Sequence, residues 1–375
     1  MNQSQHEVII IGAGLTGLTL AHELHKAGRP FLVLEARDRI GGRILTSRAG
    51  GGAPVELGAT WLGKKHDALT TLLEELDIGI FPQLTGGRAV YEASSLSPAQ
   101  VVELPHNDEP SYRIAGGTDT LIRALYDRLP AESVRLNERV TALVDQGDYV
   151  EVRTSAGDFR AGRVVSSLPP YLFATGISVS PSLPAPLLDI GRQTHTWMGE
   201  SIKVGLRYAA PFWRENGAPG GTIFSNVGPV TEMYDHTNVG EDQFALKGFL
   251  NGTYHTLRRD ERRDMVLTQL RKYYGEVVDD YLAYEETVWR QEEFTFAPYE
   301  EHVLPHQHNG HPVFRSPYLN GRLLLAGSET SVRYPGYMDG AVRSGLRVAK
   351  ELIAEYRGRQ LDYSIYHYRN KHRHI

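Results

Sequence analysis

The chain has 375 residues, which predicts about two domains. Hydrophobic residues make up 41% and charged residues 23%, as in ordinary folded proteins. The 40 basic and 45 acidic residues give a net charge of -5, which provides no positive field for a polyanion and argues against nucleic acid as a partner. The absence of cysteine excludes disulfides, thiolate metal ligands and any cofactor tethered through a cysteine sulfur.

The first long apolar stretch, Val8 to Leu20, is interrupted by glycines and lacks a basic leader and a small-residue cleavage site. We therefore expect neither a signal peptide nor a membrane span. Residues 356–375 are rich in arginine, tyrosine and histidine, which does not fit a hydrophobic anchor. These features predict no membrane partner and cytoplasmic residence.

A βαβ unit is predicted at the start of the chain. The β-branched run Val8–Ile11 predicts a strand buried on both faces, and it leads directly into Gly12-Ala13-Gly14-Leu15-Thr16-Gly17. Apolar residues then recur at helical spacing from Gly17 to Gly28. A second strand, Phe31–Leu34, ends at Glu35. A parallel sheet follows from this order of elements.

The glycine motif between strand and helix predicts a site for a dinucleotide pyrophosphate. Gly12 permits the tight turn, Gly14 lets the pyrophosphate approach the backbone, and Gly17 lets the helix pack close to the strand. The helix N-terminus adds free N–H groups and a partial positive charge. Glu35, at the tip of the second strand, is placed to accept hydrogen bonds from ribose hydroxyls.

The remaining segments alternate between the two predicted domains. Alternating strands separated by turn signals predict a small β-meander at Val134–Leu136, Val140–Val144, Tyr149–Thr154 and Val164–Ser167. Residues 171 to about 310 contain a charged helix, Arg258–Tyr274, and most of the tryptophans, and we interpret them as a second domain. The buried-strand pattern returns at Leu323–Gly327, and Ala341–Ala354 has the spacing of a helix that packs on a sheet. The last segment therefore completes the first domain.

A second glycine turn favours a flavin over a nicotinamide. Glu35-Ala36-Arg37-Asp38-Arg39-Ile40-Gly41-Gly42-Arg43 would bring a backbone turn and a guanidinium to the same pyrophosphate. With this segment the sequence resembles the glutathione-reductase-like flavoproteins that hold FAD. The segment Val55-Glu56-Leu57-Gly58-Ala59-Thr60-Trp61 narrows the resemblance to the flavin monoamine oxidase and polyamine oxidase superfamily, and to its soluble bacterial-type members.

The resemblance implies an α/β fold, with a Rossmann-like FAD-binding domain of the glutathione-reductase type and a second, α+β substrate domain. We expect the FAD-binding domain to comprise residues 1–62, 113–170 and 315–358. The substrate domain would comprise residues 63–112 and 171–314, followed by a C-terminal tail of residues 359–375.

Further blocks extend the resemblance through most of the chain. Tyr112–Gly117 is similar to the family's Gly-Gly turn before a helix, and Ala326–Thr330 followed by Gly336–Ala341 is similar to the segment that closes on the flavin. The resemblance implies FAD contacts at Gly12, Gly14, Leu15, Thr16, Gly17, Glu35, Ala36, Arg37, Gly42, Arg43, Gly58, Ala59, Thr60, Trp61, Val140, Ser328, Glu329, Tyr337 and Met338.

The resemblance also implies a reaction. An amine becomes an imine as hydride passes to flavin N5, the imine hydrolyses to an aldehyde or ketone, and O2 is reduced to H2O2. Aromatic walls would hold the amine and disfavour its ammonium form. Tyr337 matches one cage tyrosine, and Trp289 followed by Tyr299 matches a flavin-side tryptophan and the second cage tyrosine. Lys203 resembles the active-site lysine that stabilises negative charge while oxygen is reduced.

The residue before the second cage tyrosine carries a cysteinyl flavin link in the mammalian monoamine oxidases. Here that residue is Pro298, which implies non-covalent FAD. We predict no metal site, because the spacing of the loop histidines His302, His306, His308 and His311 fits no helix face. His367, His372 and His374 belong to the polar tail, where we expect solvated side chains.

The segment between Phe81 and Tyr112 is short where the monoamine oxidases place a long helical roof over the substrate cavity. The cavity could be more open, roofed by a second subunit of a homodimer, or suited to a bulkier amine.

Three alternatives to an amine oxidase stay open. An L-amino-acid oxidase needs an arginine for the carboxylate, a flavin desaturase of apolar lipids needs a membrane-facing apolar surface, and a binding module would keep FAD without catalysis. Lys203 and the tyrosine pair argue against the desaturase.

Overall fold

The computed structural model describes residues 5–371, with side chains described up to residue 356. The chain divides into two compact units. The first unit comprises Met1–Ile40, Leu125–Trp197 and Tyr299–Ile375, and the second comprises Gly41–Ala124 and Met198–Pro298.

The strands of the described residues, in chain order, are β1 (Gln5–Ile11), β2 (Phe31–Leu34), β3 (Thr46–Ser47), β4 (Val55–Glu56), β5 (Ile80–Pro82), β6 (Arg88–Glu92), β7 (Gln100–Glu103), β8 (Tyr112–Ile114), β9 (Val134–Arg135), β10 (Val140–Asp145), β11 (Val150–Thr154), β12 (Asp158–Ser166), β13 (Ser178–Ser180), β14 (Ile202–Tyr208), β15 (Thr222–Ser225), β16 (Val230–Asp235), β17 (Phe244–Leu250), β18 (Ala283–Val288) and β19 (Leu323–Leu325). The α-helices are α1 (Leu15–Lys26), α2 (Asp67–Glu75), α3 (Asp119–Tyr126), α4 (Pro170–Gly176), α5 (Ala185–Arg192), α6 (Arg259–Tyr274) and α7 (Met338–Lys371). Short 3-10 helices lie at Ala49–Gly51, Phe212–Arg214, Gly252–Thr256, Glu276–Asp279, Trp289–Gln291, Pro312–Arg315 and Ser328–Thr330.

The first unit is built on a parallel sheet in the order β19-β12-β1-β2-β9. The N-terminal half of β12 pairs with β1 and also pairs antiparallel with β11, which pairs with β10. Helices α1 and α7 pack so closely at Gly345 that a Cβ atom there would lie only 2.8 Å from the backbone oxygen of Thr16. Mixed α/β architecture is therefore confirmed for this unit.

The predicted βαβ unit is confirmed. Strands β1 and β2 are parallel neighbours, and the Gly12 N–H donates to the Leu34 carbonyl at 2.8 Å. Helix α1 is buried around most of its circumference, with Leu18 and Leu20 at 0% exposure, and the chain turns at Gly28 with φ +68°. The predicted meander is confirmed in part: β10, β11 and β12 pair antiparallel in order, whereas β9, the first predicted strand, pairs parallel with β2. Strand β12 begins earlier than predicted, because its first half pairs antiparallel with β11.

The second unit is built on a sheet in the order β18-β14-β17-β16-β15-β6-β7. One face of this sheet is apolar and shares a fully buried core with α6, including Val204, Leu206 and Leu270. The charged helix that the sequence predicts at Arg258–Tyr274 is confirmed as α6. The short segment between Phe81 and Tyr112 contributes β6 and β7, a hairpin at the sheet edge.

The unit boundaries differ from the predicted domain ranges. Residues 41–62 lie in the second unit, where Arg207 Nε donates to the Ala53 carbonyl at 2.8 Å and Val55 packs against Gly205. Helices α4 and α5 lie in the first unit, because their buried side chains join the core around β10–β12. The assignment of each unit to FAD or substrate stays a prediction.

The last helix, α7, begins three residues before the predicted Ala341 and continues past Ala354 to Lys371, into the range predicted as a tail. His372 and His374 lie outside the described residues, and the side chain of His367 is not described. Among the described helices, none combines the length and the apolar character needed to cross a membrane.

Candidate active site

The glycine loop of the first unit has the geometry of a phosphate-binding turn. Gly12 has φ +101°, and a Cβ atom there would lie 2.7 Å from Ser167 Oγ. A Cβ on Gly17 would lie 2.0 Å from the Gly12 carbonyl oxygen, so the first turn of α1 needs glycine at this position. Gly14 caps α1 without any side-chain hydrogen bond. The N-terminal N–H groups of Leu15 and Thr16 therefore begin the helix without a capping side chain.

Glu35 fixes this loop to the end of β2. Its buried carboxylate accepts the Ala13 N–H at 2.8 Å through Oε2 and the Arg37 N–H at 2.9 Å through Oε1. Each carboxylate oxygen has a second lone pair, so Glu35 can also accept a ribose hydroxyl. The loop glycines and this acceptor fit the pyrophosphate and ribose of a dinucleotide.

The other FAD candidates of the first unit lie at ends of strands and helices. Val140 is the first residue of β10, and Met338 is the first residue of α7. Glu329 is completely buried in the 3-10 turn after β19, and it accepts the Ser328 hydroxyl at 2.9 Å. The Gly310 N–H donates to the backbone oxygen of Glu329 at 2.7 Å, which holds the turn in place.

Tyr299 is held in the first unit by the ring of a second tyrosine and by a backbone N–H group. Its ring meets Tyr171 edge-on, with centroids 4.7 Å apart. Its hydroxyl accepts the Thr196 N–H at 2.9 Å. The tyrosine is therefore fixed at both its ring and its hydroxyl.

Tyr337 lies beside a stacked pair that the sequence analysis missed. Trp197 and His306 stack with centroids 3.9 Å apart, and the Tyr337 ring lies 6.0 Å from Trp197 and 6.3 Å from His306. Tyr337 is 40% exposed, which leaves one part of its ring accessible. The loop histidines were considered only as metal ligands, and sequence spacing carries no signal for ring stacking.

In the second unit, the segments around Arg43 and Gly58 pack backbone to backbone. Gly41 and Gly42 have φ +103° and +57°, which forms the predicted glycine turn before Arg43. The Ala59 N–H donates to the Arg43 carbonyl at 3.0 Å, and a Cβ on Gly58 would lie 2.3 Å from the same oxygen. A backbone hydrogen bond thus joins the two motifs on which the family resemblance depends.

Lys203 and Trp289 both bond to the backbone of this second motif. The buried Lys203 Nζ donates to the Gly58 carbonyl, and Trp289 Nε1 donates to the Leu57 carbonyl at 2.8 Å. Burial lowers the pKa of Lys203 to about 8, against the opposing effect of the Glu56 carboxylate. Three candidates that are distant in the sequence are therefore brought together in the second unit.

Glu56, within the second of these motifs, is itself buried. Burial raises the pKa of its carboxyl to about 7, although its oxygens accept the Thr118 N–H at 2.7 Å and the Thr46 hydroxyl at 2.8 Å. This shift leaves a reduced negative charge near Lys203 at neutral pH.

Trp61 belongs to an aromatic group on the sheet of the second unit. Its indole N–H donates to Gln83 Oε1 at 2.8 Å, and its ring centroid lies 5.1 Å from Tyr234 and 5.9 Å from Phe249. Trp61 is one of the residues predicted to contact FAD, whereas Lys247, which lies over the Trp61 and Phe249 rings, was not predicted as a site residue. A lysine in the otherwise apolar run Phe244–Leu250 was the available signal.

Comparisons with known proteins identify the family of this chain. The family model described as flavin containing amine oxidoreductase matches residues 15–106 and 84–353. A probable flavin-containing monoamine oxidase A of Dictyostelium discoideum is 25% identical, covering 92% of this chain and 97% of that protein. An L-amino acid dehydrogenase of Synechocystis sp. is also 25% identical, covering 93% and 95%. A solved structure of putrescine oxidase bound to putrescine superposes with a TM-score of 0.81 at 25% identity, covering 94% and 99%.

The Dictyostelium alignment spans 452 positions, more than the 375 residues of this chain, so that relative contains segments that are absent here. The two family-model matches overlap at residues 84–106, within the segment that the sequence analysis found short. Together the two matches cover most of the chain. This chain belongs to the family of flavin-containing amine oxidoreductases and is therefore an FAD-dependent enzyme that oxidises amines.

Proposed function

We propose that this chain is an oxidase that passes electrons from an amine through FAD to O2, with H2O2 as the second product. The observation that carries this proposal is the buried lysine of the second unit. Lys203 lies under the Phe249 ring, 5.1 Å from its centroid, and donates to the backbone of Gly58. A cation held in such an apolar setting supplies positive charge where negative charge develops during oxygen reduction.

We propose that FAD contacts the residues that the sequence predicted for it. In the first unit these are the glycine loop with Leu15 and Thr16, Glu35–Arg37, Val140, Ser328, Glu329, Tyr337 and Met338. In the second unit they are Gly42, Arg43 and Gly58–Trp61. The bound FAD supplies the acceptor for the electron pair that leaves the carbon bearing nitrogen. We further propose that the first unit is a Rossmann-like domain of the glutathione-reductase type, which its βαβ unit and glycine loop support.

The aromatic residues would position the amine and keep it neutral. Rings exclude water, and a dehydrated site disfavours an ammonium group, so its pKa falls and the reactive neutral amine is favoured. We assign this role to Tyr299 and Tyr337, with Trp289 on the flavin side. Trp197 and His306 would support the Tyr337 ring through the contacts described above.

A panel of amines tested with and without oxygen separates the candidate functions. An amine oxidase loses its yellow colour anaerobically with an amine, and it recovers the colour in air while H2O2 appears. Slow recovery in air would indicate another electron acceptor. An enzyme that no amine or amino acid can bleach would contradict the proposal and favour a desaturase or a non-catalytic FAD-binding module.

We propose that the FAD is non-covalent, since the chain has no cysteine and carries Pro298 at the position of the family's cysteinyl link. Acid precipitation of the purified yellow protein is expected to release essentially all of the flavin into the supernatant. The measurement is the flavin absorbance of supernatant and pellet. Flavin retained in the washed pellet would contradict the proposal and direct attention to a histidine link.

Replacing Tyr337 tests the aromatic cage. We expect Tyr337→Ala to slow anaerobic flavin reduction about tenfold, because losing the ring removes roughly 1.4 kcal/mol of positioning. Tyr337→Phe should change the rate less than about threefold, because it retains the ring face. Tyr91→Ala, at a tyrosine with 41% exposure on β6, is the matched control and should leave the rate unchanged. Equal impairment of the Phe and Ala variants would assign the function to the hydroxyl instead.

Amino acids are the second candidate class of substrate. One relative of similar identity and coverage is named as an L-amino acid dehydrogenase, whereas another match is a putrescine oxidase bound to its diamine. Besides the reacting amine, putrescine carries a second amine at its far end, whereas an amino acid carries a carboxylate on the carbon that bears the amine. The charge of the residues around Trp61 therefore bears on the choice.

We also propose cytoplasmic residence and retain a homodimer as a proposal, since a second subunit could roof a site that lacks the family's longer segment. Gel filtration with light scattering tests the homodimer.

A further inference from the structure

Lys247 lies on β17, an interior strand of the second unit's sheet. Lys247 pairs in register with Gly205 of β14 and Tyr234 of β16, and Lys203 pairs with Phe249. Because side chains alternate along a strand, Lys203, Lys247 and Phe249 share one face of the sheet, opposite the apolar core. This lysine face is the face that carries the active-site lysine.

The Lys247 amine is buried without a hydrogen-bond acceptor. Its side chain has 0% exposure, and its Nζ has no hydrogen-bond partner among the described residues. Instead Nζ lies 3.9 Å from the Trp61 ring centroid and 4.1 Å from that of Phe249. Burying an amine without an acceptor costs stability, so the position calls for a ligand that supplies one.

Two cationic side chains and two carboxylates act on the Lys247 amine. Burial is the main cause that lowers the pKa of Lys247 well below its ordinary value, and the Lys203 charge on β14 and the Arg113 charge on β8 lower it further. Glu56 on β4 and Glu232 on β16 act in the opposite direction. Since the pKa of Glu56 is raised to about 7, this carboxyl is only partly ionised near neutral pH. It therefore offsets the positive charges near Lys247 only in part.

Cationic side chains also act on a neighbouring histidine. His236 is fully buried, and burial followed by the charges of Arg113, Lys247 and Arg207 lowers its pKa well below the ordinary value. A ligand with a second ammonium group, as in a diamine, would meet repulsion here. An anion would supply both the missing acceptor and the missing charge.

We propose that Lys247 binds a carboxylate of the substrate, so that this enzyme oxidises amines that carry a carboxylate, such as amino acids. This assignment rests on the proposed function and specifies its substrate class. The rings of Trp61 and Phe249 would contact the apolar part of the same molecule. Because burial lowers the pKa of Lys247, formation of the ion pair with the carboxylate favours uptake of a proton from solvent, with no bond to carbon made or broken.

The first experiment compares substrates that differ only by a carboxylate. The pairs are 2-phenylethylamine with L-phenylalanine, tryptamine with L-tryptophan, and putrescine with L-ornithine. Anaerobic flavin reduction is followed by stopped flow in the wild-type holoenzyme and in Lys247→Met, which keeps the length of the side chain. Lys65→Met, at an exposed lysine of the second unit, is the matched control.

For at least one pair, we expect the wild type to reduce its flavin more than tenfold more efficiently with the carboxylate-bearing member. Lys247→Met should lose about 30-fold with that member, as for a lost charge-assisted hydrogen bond, and less than about threefold with the plain amine. A wild type that prefers the plain amine in every pair, or equal losses with both members, would overturn the inference. If no member reduces the flavin, the proposed function itself fails.

The second experiment measures binding without turnover. Calorimetry compares benzoate with benzamide at pH 8.5 in two buffers of different ionisation enthalpy. We expect benzoate to bind the wild-type holoenzyme with proton uptake, and Lys247→Met to lose both the uptake and most of the affinity. Absence of benzoate binding, or binding that Lys247→Met leaves unchanged, would contradict the assignment. If Lys247→Met has a lowered melting temperature or FAD content, Lys247→Gln provides the comparison, because it retains a donor without the charge.

Discussion

Replacing Gly14 with valine is expected to reduce bound FAD to less than about one tenth of the wild-type content, because a side chain would occupy the space in which a pyrophosphate approaches the backbone. Gly14 has φ -77° and ψ -179°, a conformation that any residue adopts. The valine therefore introduces no backbone strain of the kind expected at Gly12, where φ is +101°. The measurement is flavin absorbance per mole of purified protein.

The control for this substitution is Gly157→Val. Gly157 lies in the same unit between β11 and β12, and a Cβ atom there would meet no atom within 4 Å. This variant should keep its full FAD content. Circular dichroism of both variants reports whether the chain has folded. Normal flavin content in a folded Gly14→Val protein would mean that the glycine loop serves only as a turn.

The first unit was the more predictable part of the fold. Its strands β1 and β2 contain short runs of apolar residues, and apolar residues recur at helical spacing along α1, so hydrophobic periodicity was sufficient to identify them. The allocation of residues 41–62 to a unit could not be predicted in this way. It depends on contacts such as the bond from Arg207 to Ala53, between residues that are far apart in the sequence.

The site was predictable where a motif fixes the backbone and less so where side chains meet across strands. Glycines with positive φ, such as Gly12 and Gly41, leave a direct mark in the sequence. Lys203 was found through its resemblance to a family strand. Lys247 lies in a similar strand, yet its place beside Trp61 depends on the register between β14 and β17, which the sequence does not reveal.

The burial of Lys203 and Glu56 connects the packing of the second unit with the protonation chemistry of the candidate site. A carboxyl whose pKa is raised to about 7 beside an amine whose pKa is lowered to about 8 indicates a site in which desolvation governs protonation. Such shifts cluster at functional sites, because catalysis needs groups that change charge near the working pH. The backbone carbonyl of Gly58 holds the Lys203 amine within this environment.

Lys203→Met should therefore separate the two half-reactions. We expect reoxidation of the reduced enzyme by O2 to slow about 100-fold, the order of magnitude for removing one preorganised electrostatic donor. Anaerobic reduction by substrate should slow less than about fivefold, since the lysine charge is needed only as oxygen is reduced. Stopped-flow absorbance gives both rate constants, and the exposed Lys65→Met variant should match the wild type in both.

The pH dependence of reoxidation provides the sharper test of the same residue. Lys203 is charged below its pKa of about 8 and neutral above it, so the wild-type rate constant should fall as the pH rises through about 8. Lys203→Met has no charge to lose, and its slower rate constant should stay level over the same range. A wild-type profile without this fall, or the same fall in the methionine variant, would assign the titration to another group such as Glu56. Equal slowing of both half-reactions by Lys203→Met would instead mean that the lysine mainly holds the backbone at Gly58 in place.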